Sequence, residues 1–478
     1  MKHEFHAQYS LSLQPDFAQR EGVDFLTGAT EQIPEHWRDL GEVADTFARI
    51  ELLAQAISTS YKDYARVGTY KNGGLLHAIS SNHLNTFFKQ QYDDYLEPLK
   101  LNPTIPDLTI FPSGSWAINF NFKLQKPYLS KDDIDFYIID NPIRKEWVFK
   151  VPYIAPGQWK GALRAAMVQQ LTEWWSDLNN DKQHTDKYSE KFVNWRIQLT
   201  RFFGNEKEVG LDEKEPDACL DKVGGKNLAR KYREQLNSLT NTRFFTGQLH
   251  FYPTYFTRIG LEVINPHDRE TGAGSQPIYF ESVPAGAEGV FTLLYVPVDR
   301  IGKVDVGIDK RSADNIYQVA EGLRLMLTEY GFGAKTSSGF GVAEDDVDDG
   351  SLVLNAEGIE FFVQDETVPE PPDKFHKYLN LEEGTVKEQF CEDNGKPMSV
   401  KKYKEMAHDG RTPEGGGSQK EFRDFMNLYN TQGEAWSKSV QSKNDYAPAK
   451  LSLCEFKNFN ELTDLINSFK RIVNGKGD

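Results

Sequence analysis

The sequence predicts an α+β fold, on three observations. Residues 115–124, SWAINFNFKL, alternate apolar and polar side chains with the two-residue period of a strand. Residues 315–331, NIYQVAEGLRLMLTEYG, instead place apolar side chains at the three- and four-residue spacing of a helix. With 478 residues, of which 39% are hydrophobic, the chain is long enough for two or three domains with buried cores.

Charge and cysteine content exclude several classes of protein. The 55 basic and 71 acidic residues give a net charge of −16, which argues against a free-standing nucleic-acid binder with a basic surface. Cys219, Cys391 and Cys454 stand far apart, so we expect neither a disulfide framework nor a zinc site. Apolar runs are too short for a signal peptide or a membrane span. We therefore expect a protein of the reducing cytoplasm.

Residues 1–112 are predicted to form a helical N-terminal extension. The apolar residues that recur at helical spacing are Trp37, Leu40, Val43, Phe47, Ile50, Leu53, Ile57 and Tyr61. Three prolines in LNPTIPDLTIFPSG, residues 101–114, then interrupt the pattern and predict a domain boundary.

Residues 113–345 alternate between strand and helix patterns. The strand at 115–124 is followed by a helix after Pro156, by further strands in GQLHFYPTYF, PIYFESV and GVFTLLYVPV, and by the helix ending at Gly331. A last strand after the glycine-rich loop completes the order of a ferredoxin-like α+β sandwich. Residues 176–246, which are polar and mixed, are interpreted as an insertion.

Residues 346–478 are predicted to be an acidic linker followed by a helical C-terminal extension. Two acidic runs, EDDVDDG at 344–350 and DETVPEPPD at 365–373, are typical of solvated linkers. Residues 460–473, NELTDLINSFKRIV, form an amphipathic pattern. Such a helix docks either on its own domain or on a neighbouring subunit.

The loop GFGAKTSSGFG, residues 331–341, is the first candidate site. It lacks the spacing of a Walker A loop, and it follows a helix instead of opening one as a dinucleotide fingerprint does. One interpretation is a loop whose backbone N–H groups approach a polyanion; the other is a helix cap followed by a mobile loop. The candidate phosphate-binding residues are Gly331, Gly333, Lys335, Thr336, Ser337, Ser338, Gly339 and Gly341.

Three further sets of residues are candidates. Lys160 and Arg164 lie four apart near the start of a helix, where they could bind phosphate or form a solvated basic pair. Asp140 ends an apolar run in an Asp-Asn-Pro turn, whose aspartate commonly bonds its own turn. His267 and Asp268 are an acid-base pair on a polar loop, where ordinary surface chemistry is the alternative.

Taken in order, these segments resemble the repeat-associated mysterious protein (RAMP) superfamily, specifically the backbone subunits of type III CRISPR RNA-guided effector complexes. The resemblance covers about residues 113–345, whereas the two terminal extensions and the insertion have no counterpart. Its segments are the strand at 115, IIDNPI (138–143), VPYIAPGQWKGALR (151–164), FFG (202–204), GQLHFYPTYF, NPHDRETG, YFESVPAGAEG and the glycine loop. Where the family commonly has Pro-Gly-Ser-Ser-x-Lys-Gly, this chain has the shorter, serine-free run from Pro156 to Gly161.

The resemblance implies a fold and a set of roles. The fold would be a ferredoxin-like (RRM-like) palm that holds guide RNA, with a protruding hairpin at 258–289 as its thumb. Lys160, Arg164 and the glycine loop would contact guide phosphates. Asp140 would cleave bound target RNA with Mg²⁺ or another divalent metal, since a carboxylate and a metal can manage proton and charge at the scissile phosphate.

The resemblance also implies partners: guide RNA, target RNA and other subunits of the complex, with no membrane. Two alternatives stay open. The chain could be a non-catalytic scaffold whose Asp140 is only a turn residue. It could also be an endoribonuclease that processes the guide precursor without metal, since the paired Gly-x-Gly triplets occur in those enzymes too.

Overall fold

The computed structural model describes most of the chain. The described residues are 16–33, 35–56, 62–68, 73–132, 137–180, 186–205, 216–239, 245–266, 274, 277–301, 308–355, 371–381, 384–392, 396–433, 436–437 and 451–475. The chain divides into two compact units, Met1–Asn355 with Leu453–Asp478, and Ala356–Ser452. Among the described helices, none is long and apolar enough to cross a membrane.

The first unit contains helices in its N-terminal part, as the sequence predicts, and around a central sheet. Its helices are α1 (Asp16–Leu26), α2 (Thr46–Ala56), α3 (Lys62–Val67), α4 (Gly74–Ser80), α5 (His83–Gln91), α6 (Pro156–Asn180), α7 (Asp186–Phe203), α8 (Pro216–Leu239), α9 (Ile308–Arg324) and, at the C-terminus, α12 (Phe459–Gly475). Its strands are β1 (Trp116–Leu124), β2 (Tyr153–Ile154), β3 (Gly204–Asn205), β4 (Phe245–Thr246), β5 (Leu249–Phe251), β6 (Thr254–Tyr255), β7 (Gly260–Ile264), β8 (Ile278–Ser282), β9 (Glu288–Tyr295), β10 (Ala343–Asn355) and β13 (Leu451–Asn458).

Five strands form the central sheet in the order β13-β10-β1-β9-β5. Strand β1 pairs antiparallel with both β10 and β9, and β9 pairs antiparallel with β5. Helix α6 connects β1 to β5 through the intervening helices, and α9 connects β9 to β10. The chain is therefore a mixed α+β protein, as predicted, with its helices inserted between the strands of one sheet.

The core lies between one face of this sheet and its helices. Trp116 stacks on Tyr295 at 5.2 Å between ring centroids, and Phe120 stacks on Phe291 at 5.1 Å. Each stack joins cross-strand partners of β1 and β9, so the aromatic residues share one face. From α6, the fully buried Trp159 meets Phe291 edge to face at 5.1 Å. Its indole N–H donates to the Thr254 hydroxyl at 3.0 Å, which satisfies its one polar atom.

Helices α6 and α9 pack against each other, and α12 packs on α9. A Cβ on Gly322 of α9 would lie 2.6 Å from Met167 Cγ, so glycine permits the close approach of the first pair. Leu462 and Ile466 of α12 are fully buried. The C-terminal amphipathic helix thus docks on its own domain, the first of the two alternatives that the sequence left open.

The interpretation of Glu344–Gly350 as a linker is wrong, because these residues lie within β10, where Val347 and Asp348 pair with β1. Val347 points into the core at 4% exposure, whereas Asp345 and Asp348 are exposed on the strand. Because one face of β10 carries charged side chains, its alternation is difficult to recognise in the sequence. The boundary expected at residue 346 therefore falls inside a strand.

The described residues of the segment 176–246, which the sequence analysis interprets as an insertion, are mostly helical. Helix α6 continues through residue 176 to Asn180, and α7 and α8 supply most of the rest. Both pack against α6 and against each other. Arg196 of α7 is 1% exposed, and it binds the carboxylate of Asp221 on α8 at 2.5 Å.

The second unit is built on aromatic residues. Its described elements are β11 (Leu379–Asn380), β12 (Thr385–Val386), α10 (Val400–His408) and α11 (Gln419–Leu428). Tyr403 stacks face to face on Phe422 at 3.9 Å, and Tyr378 stacks on Phe425 at 4.7 Å. These rings belong to one buried cluster, which gives the unit a core of its own.

Candidate functional site

Three loops that are distant in sequence meet around strand β8. The segment after β1 bridges to it through Tyr128, whose N–H donates to Val283 at 2.9 Å. The Asp140 loop bridges to it through Asn141, whose carbonyl accepts the N–H of Glu281 at 3.0 Å. Lys335 of the glycine loop places its ammonium 5.9 Å from the centre of the Phe280 ring. The loop that carries Asp140 and the glycine loop therefore meet at the same strand.

The Asp140 carboxylate binds two cations from the N-terminal extension. Lys62 and Arg66 of α3 donate to its two oxygens, one to each. The Arg66 side chain is only 8% exposed, and its Nε also donates to the Ile138 carbonyl at 3.0 Å. The Asp140 side chain stays 57% exposed. Helix α3 thus holds Asp140 from one side and leaves it open to solvent on the other.

These contacts set the charge of Asp140. Its partial burial alone would raise the pKa, but the hydrogen bond from Lys62 and the charges of Arg66 and Lys62 outweigh that effect and lower the pKa below its usual value of 3.8. The carboxylate is therefore ionised throughout the physiological range.

A second carboxylate, that of Glu281, anchors the loop that carries Asp140. Glu281 of β8 accepts hydrogen bonds from the Tyr137 hydroxyl and the Lys145 ammonium, both at 2.6 Å, and from the Ile143 N–H at 3.2 Å. The Lys145 and Glu281 side chains are 1% and 0% exposed. Burial, followed by the adjacent Glu281 carboxylate, raises the pKa of Tyr137 well above its usual value. Both flanks of Asp140 are therefore anchored to one strand.

The glycine loop is a defined turn, and three of its glycines serve its own packing. After α9 the chain continues as a π-helical turn, Leu325–Tyr330, and Gly331, with φ +75°, ends it, as predicted for a helix cap. A Cβ on Gly341 would lie 1.9 Å from the Phe332 carbonyl oxygen, and one on Gly333 would lie 2.4 Å from that of Leu129. At Gly339, with φ +82°, a Cβ would meet nothing within 4 Å.

The tip of the same loop faces solvent. Thr336–Ser338 form one 3₁₀ turn, closed by the Ser338 N–H donating to the Lys335 carbonyl at 2.9 Å. Lys335, Ser337, Ser338 and Gly339 are exposed, and Thr336 is half-buried. The loop therefore presents a lysine and two hydroxyls on a backbone that its other glycines hold in place.

The start of α6 lies next to the glycine loop. Trp159 contacts the Phe332 ring at 4.7 Å, and the Gln158 side chain caps the helix by accepting the Ala155 N–H at 3.0 Å. This is the bond that the glutamine or glutamate of a capping box makes to the N–H of the N-cap residue. Lys160 and Arg164 are half-buried on this helix. Burial, and then the positive charge of Lys160, lower the pKa of His250 on β5.

The second face of the sheet is polar. Asn119 of β1 donates to the Thr292 hydroxyl at 2.7 Å, and that hydroxyl donates to the Pro103 carbonyl at 3.3 Å. Residues of the N-terminal extension thus approach this face, while the stacked aromatic rings of β1 and β9 point the other way. RRM domains stack bases on sheet aromatics, so β1 and β9 do not offer that surface here.

The residues around Asp140 do not fit the metal that the resemblance implies. Both oxygens of the carboxylate are bound by cations. Across the described part of the chain, no three His, Cys, Asp or Glu side chains gather as a metal site would require. Mg²⁺ is held by several oxygen ligands, whereas Asp140 is a single carboxylate that Lys62 and Arg66 already bind.

The structure brings together some of the predicted residues and adds others. The Asp140 loop, through Asn141, and Lys335 both contact β8, and Lys160 and Arg164 lie on the helix that contacts the glycine loop through Trp159. His267 and Asp268 lie outside the described residues. The sequence analysis missed Lys62, Arg66, Glu281 and Phe280, because only tertiary contacts bring them to the Asp140 loop or to Lys335.

Comparison with known proteins gives weak likenesses. No family model and no curated protein matches the chain. A structure of type III-B Cmr-beta bound to cognate target RNA is 14% identical with a TM-score of 0.31, over 69% of this chain and 98% of that one. Cmr6 from Pyrococcus furiosus is 15% identical with a TM-score of 0.25, over 48% of this chain and 97% of that one.

A chain of a CRISPR RNA-guided surveillance complex, pre-nicking, is 8% identical with a TM-score of 0.29, over 74% of this chain and 100% of that one. At TM-scores this low, the likenesses establish neither the fold nor the function of this chain.

Proposed function

We propose that this chain is a subunit of a type III CRISPR effector complex that binds guide RNA along its backbone. One observation carries the proposal: the loops that the sequence resemblance assigns to RNA meet on one strand. The order β10-β1-β9-β5, with α6 and α9 as connections, is that expected of a ferredoxin-like palm. The β7–β8 hairpin stands where the resemblance expects a thumb, and Asn141 and Lys335 both contact β8.

Guide phosphates would lie on the exposed tip of the glycine loop and near the start of α6. Lys335 supplies a charge there, and Ser337 and Ser338 supply hydroxyl donors. Gly339 leaves its backbone open to a close approach. Lys160 and Arg164 add charge on the adjacent helix. A local basic surface of this kind is compatible with a net charge of −16, because only the contacted surface has to attract the phosphates.

The test is RNA binding by the purified complex with Lys335→Ala. Loss of one phosphate contact should weaken binding roughly tenfold for all RNA sequences and reduce the magnitude of the salt slope by about 1. Lys89→Ala, at an exposed lysine of α5, is the matched control and should change neither. Equal affinity and equal salt slope for Lys335→Ala and wild type would exclude the loop as a phosphate site.

Cleavage of target RNA at Asp140 is a second candidate function. It is favoured by the 57% exposure of an ionised carboxylate beside the strand that Lys335 contacts. The ion pairs to Lys62 and Arg66 favour the scaffold alternative. A labelled matching target, incubated with the complex and Mg²⁺, separates the two. Loss of one product in Asp140→Ala with guide binding intact supports cleavage, and an unchanged product pattern supports the scaffold.

A further inference from the structure

An apolar patch lies on the first unit and includes none of the residues assigned to RNA. Trp147 and Val148, at the tip of a hairpin within residues 144–152, are 82% and 71% exposed. Phe149 stacks on Tyr95 at 6.2 Å between ring centroids, and Tyr95 is itself 48% exposed. Leu99, four residues further on, is 60% exposed. We call these five residues the Trp147 patch.

Hydrogen bonds within the turn of this hairpin hold Trp147 in an exposed position. The Glu146 carboxylate accepts the N–H groups of Val148 and Phe149, both at 2.7 Å. The Lys150 N–H donates to the Glu146 carbonyl at 3.0 Å, and Lys150 adopts a left-handed φ of +59°. Its ammonium also pairs with Glu51 of α2 at 3.7 Å. Because this turn is already ordered, little conformational entropy would be lost when a partner binds.

Charge around the patch distinguishes a protein partner from RNA. Asp93, Asp94 and Glu97 are exposed on the helical turn that carries Tyr95, and Lys100 adds one positive charge beyond it. Lys150 lies 5.6 Å from the centre of the Trp147 ring, but its charge is paired with Glu51. The other three carboxylates against Lys100 repel phosphate groups. They attract a surface with lysine and arginine at its rim. Trp and Tyr are also the side chains that most often dominate protein interfaces.

We propose that the Trp147 patch docks on another protein, whose contacting surface is apolar at its centre and basic at its rim. Contiguous exposed apolar surface marks such sites in soluble proteins. The inference goes beyond the proposed function, because the patch does not include the residues assigned to RNA.

The first test places the photocrosslinker p-benzoylphenylalanine at position 147 in the full chain, which is then purified with whatever it binds. An adduct with a protein whose crosslinked peptide carries basic residues supports the inference. Adducts with RNA alone, or no adduct, overturn it. RNA that copurifies without a protein adduct leaves the proposed function standing, and a protein adduct without copurified RNA supports the patch while contradicting guide binding.

The second test compares Trp147→Ser with Ile110→Ser. Ile110 is 77% exposed and lies outside the patch, so it is a matched control. Trp147→Ser should weaken retention of the crosslinked partner at least about tenfold, as loss of an interface hot spot does. The control should retain it. Both variants should keep the circular dichroism spectrum of wild type, and equal retention by both would overturn the proposal.

Discussion

Two carboxylates near strand β8, Glu281 and Asp140, both form ion pairs, Glu281 with one cation and Asp140 with two, but they differ in burial. Glu281 is fully buried, and its three donors come from residues 137–145. Asp140 is 57% exposed, and both its cations come from helix α3. An ion pair therefore says little about role by itself. Burial separates a carboxylate that holds the loop together from one that is free to meet a ligand.

The largest effect expected from this contrast is on stability. Glu281→Ala leaves the buried Lys145 ammonium without its carboxylate, which should lower the free energy of unfolding by about 3 to 5 kcal/mol. Urea unfolding of the full chain measures it. Asp140→Ala should cost less, about 1 kcal/mol, because the carboxylate itself is open to solvent and the buried Arg66 keeps the Ile138 carbonyl and Asp63 as partners. Comparable losses for the two variants would break the comparison.

Two residues of the glycine loop also differ in burial, with a smaller expected effect: Gly341 is closely packed, whereas Gly339 faces open space. Gly341→Ala combines a φ of +70° with a Cβ placed 1.9 Å from the Phe332 oxygen, so the backbone has to move. Gly339→Ala should cost only the about 1 to 2 kcal/mol of a left-handed residue. We expect the larger loss of thermal stability for Gly341→Ala. RNA binding should instead be the more sensitive measure for Gly339→Ala, since that position faces open space.

The smallest effect is the pH dependence of stability that Asp140 contributes. Its pKa is lower in the folded protein than its usual value of 3.8, so the unfolded chain binds the proton more readily. The stabilisation is therefore complete above the unfolded pKa and is lost as pH falls through the folded one. Asp140→Asn should reduce stability by at most about 1 kcal/mol at neutral pH and by nothing in strong acid. A difference in stability between wild type and Asp140→Asn that grows as the pH falls would contradict this.

Local pattern was enough to predict much of the fold. The alternation in β1, the helical spacing of α9 and the cap at Gly331 are all properties of short segments, and each is found in the structure. A last strand was expected after the glycine loop, but its extent to Asn355 was missed, because the exposed Asp345 and Asp348 outweighed buried positions such as Val347. A local sequence pattern shows which residue types alternate along a strand, but it does not show which face of the strand is buried.

The candidate site was predictable only in part, for a different reason. Asp140 and Lys335 stand in recognisable segments, whereas Lys62 is 78 positions from Asp140 and Lys145 is 136 from Glu281. No local pattern joins residues at such separations. The glycines gave a correct signal of an unusual backbone, but most of that signal belongs to packing against Phe332 and Leu129.

The most direct test of the central claim is ultraviolet crosslinking of the purified full chain with its bound RNA, followed by identification of the crosslinked peptides. Guide binding predicts adducts at residues 331–341 and 156–164. If the chain carries no RNA, or if adducts fall only on the polar face of the sheet around Asn119 and Thr292, the claim that these loops hold a guide is contradicted.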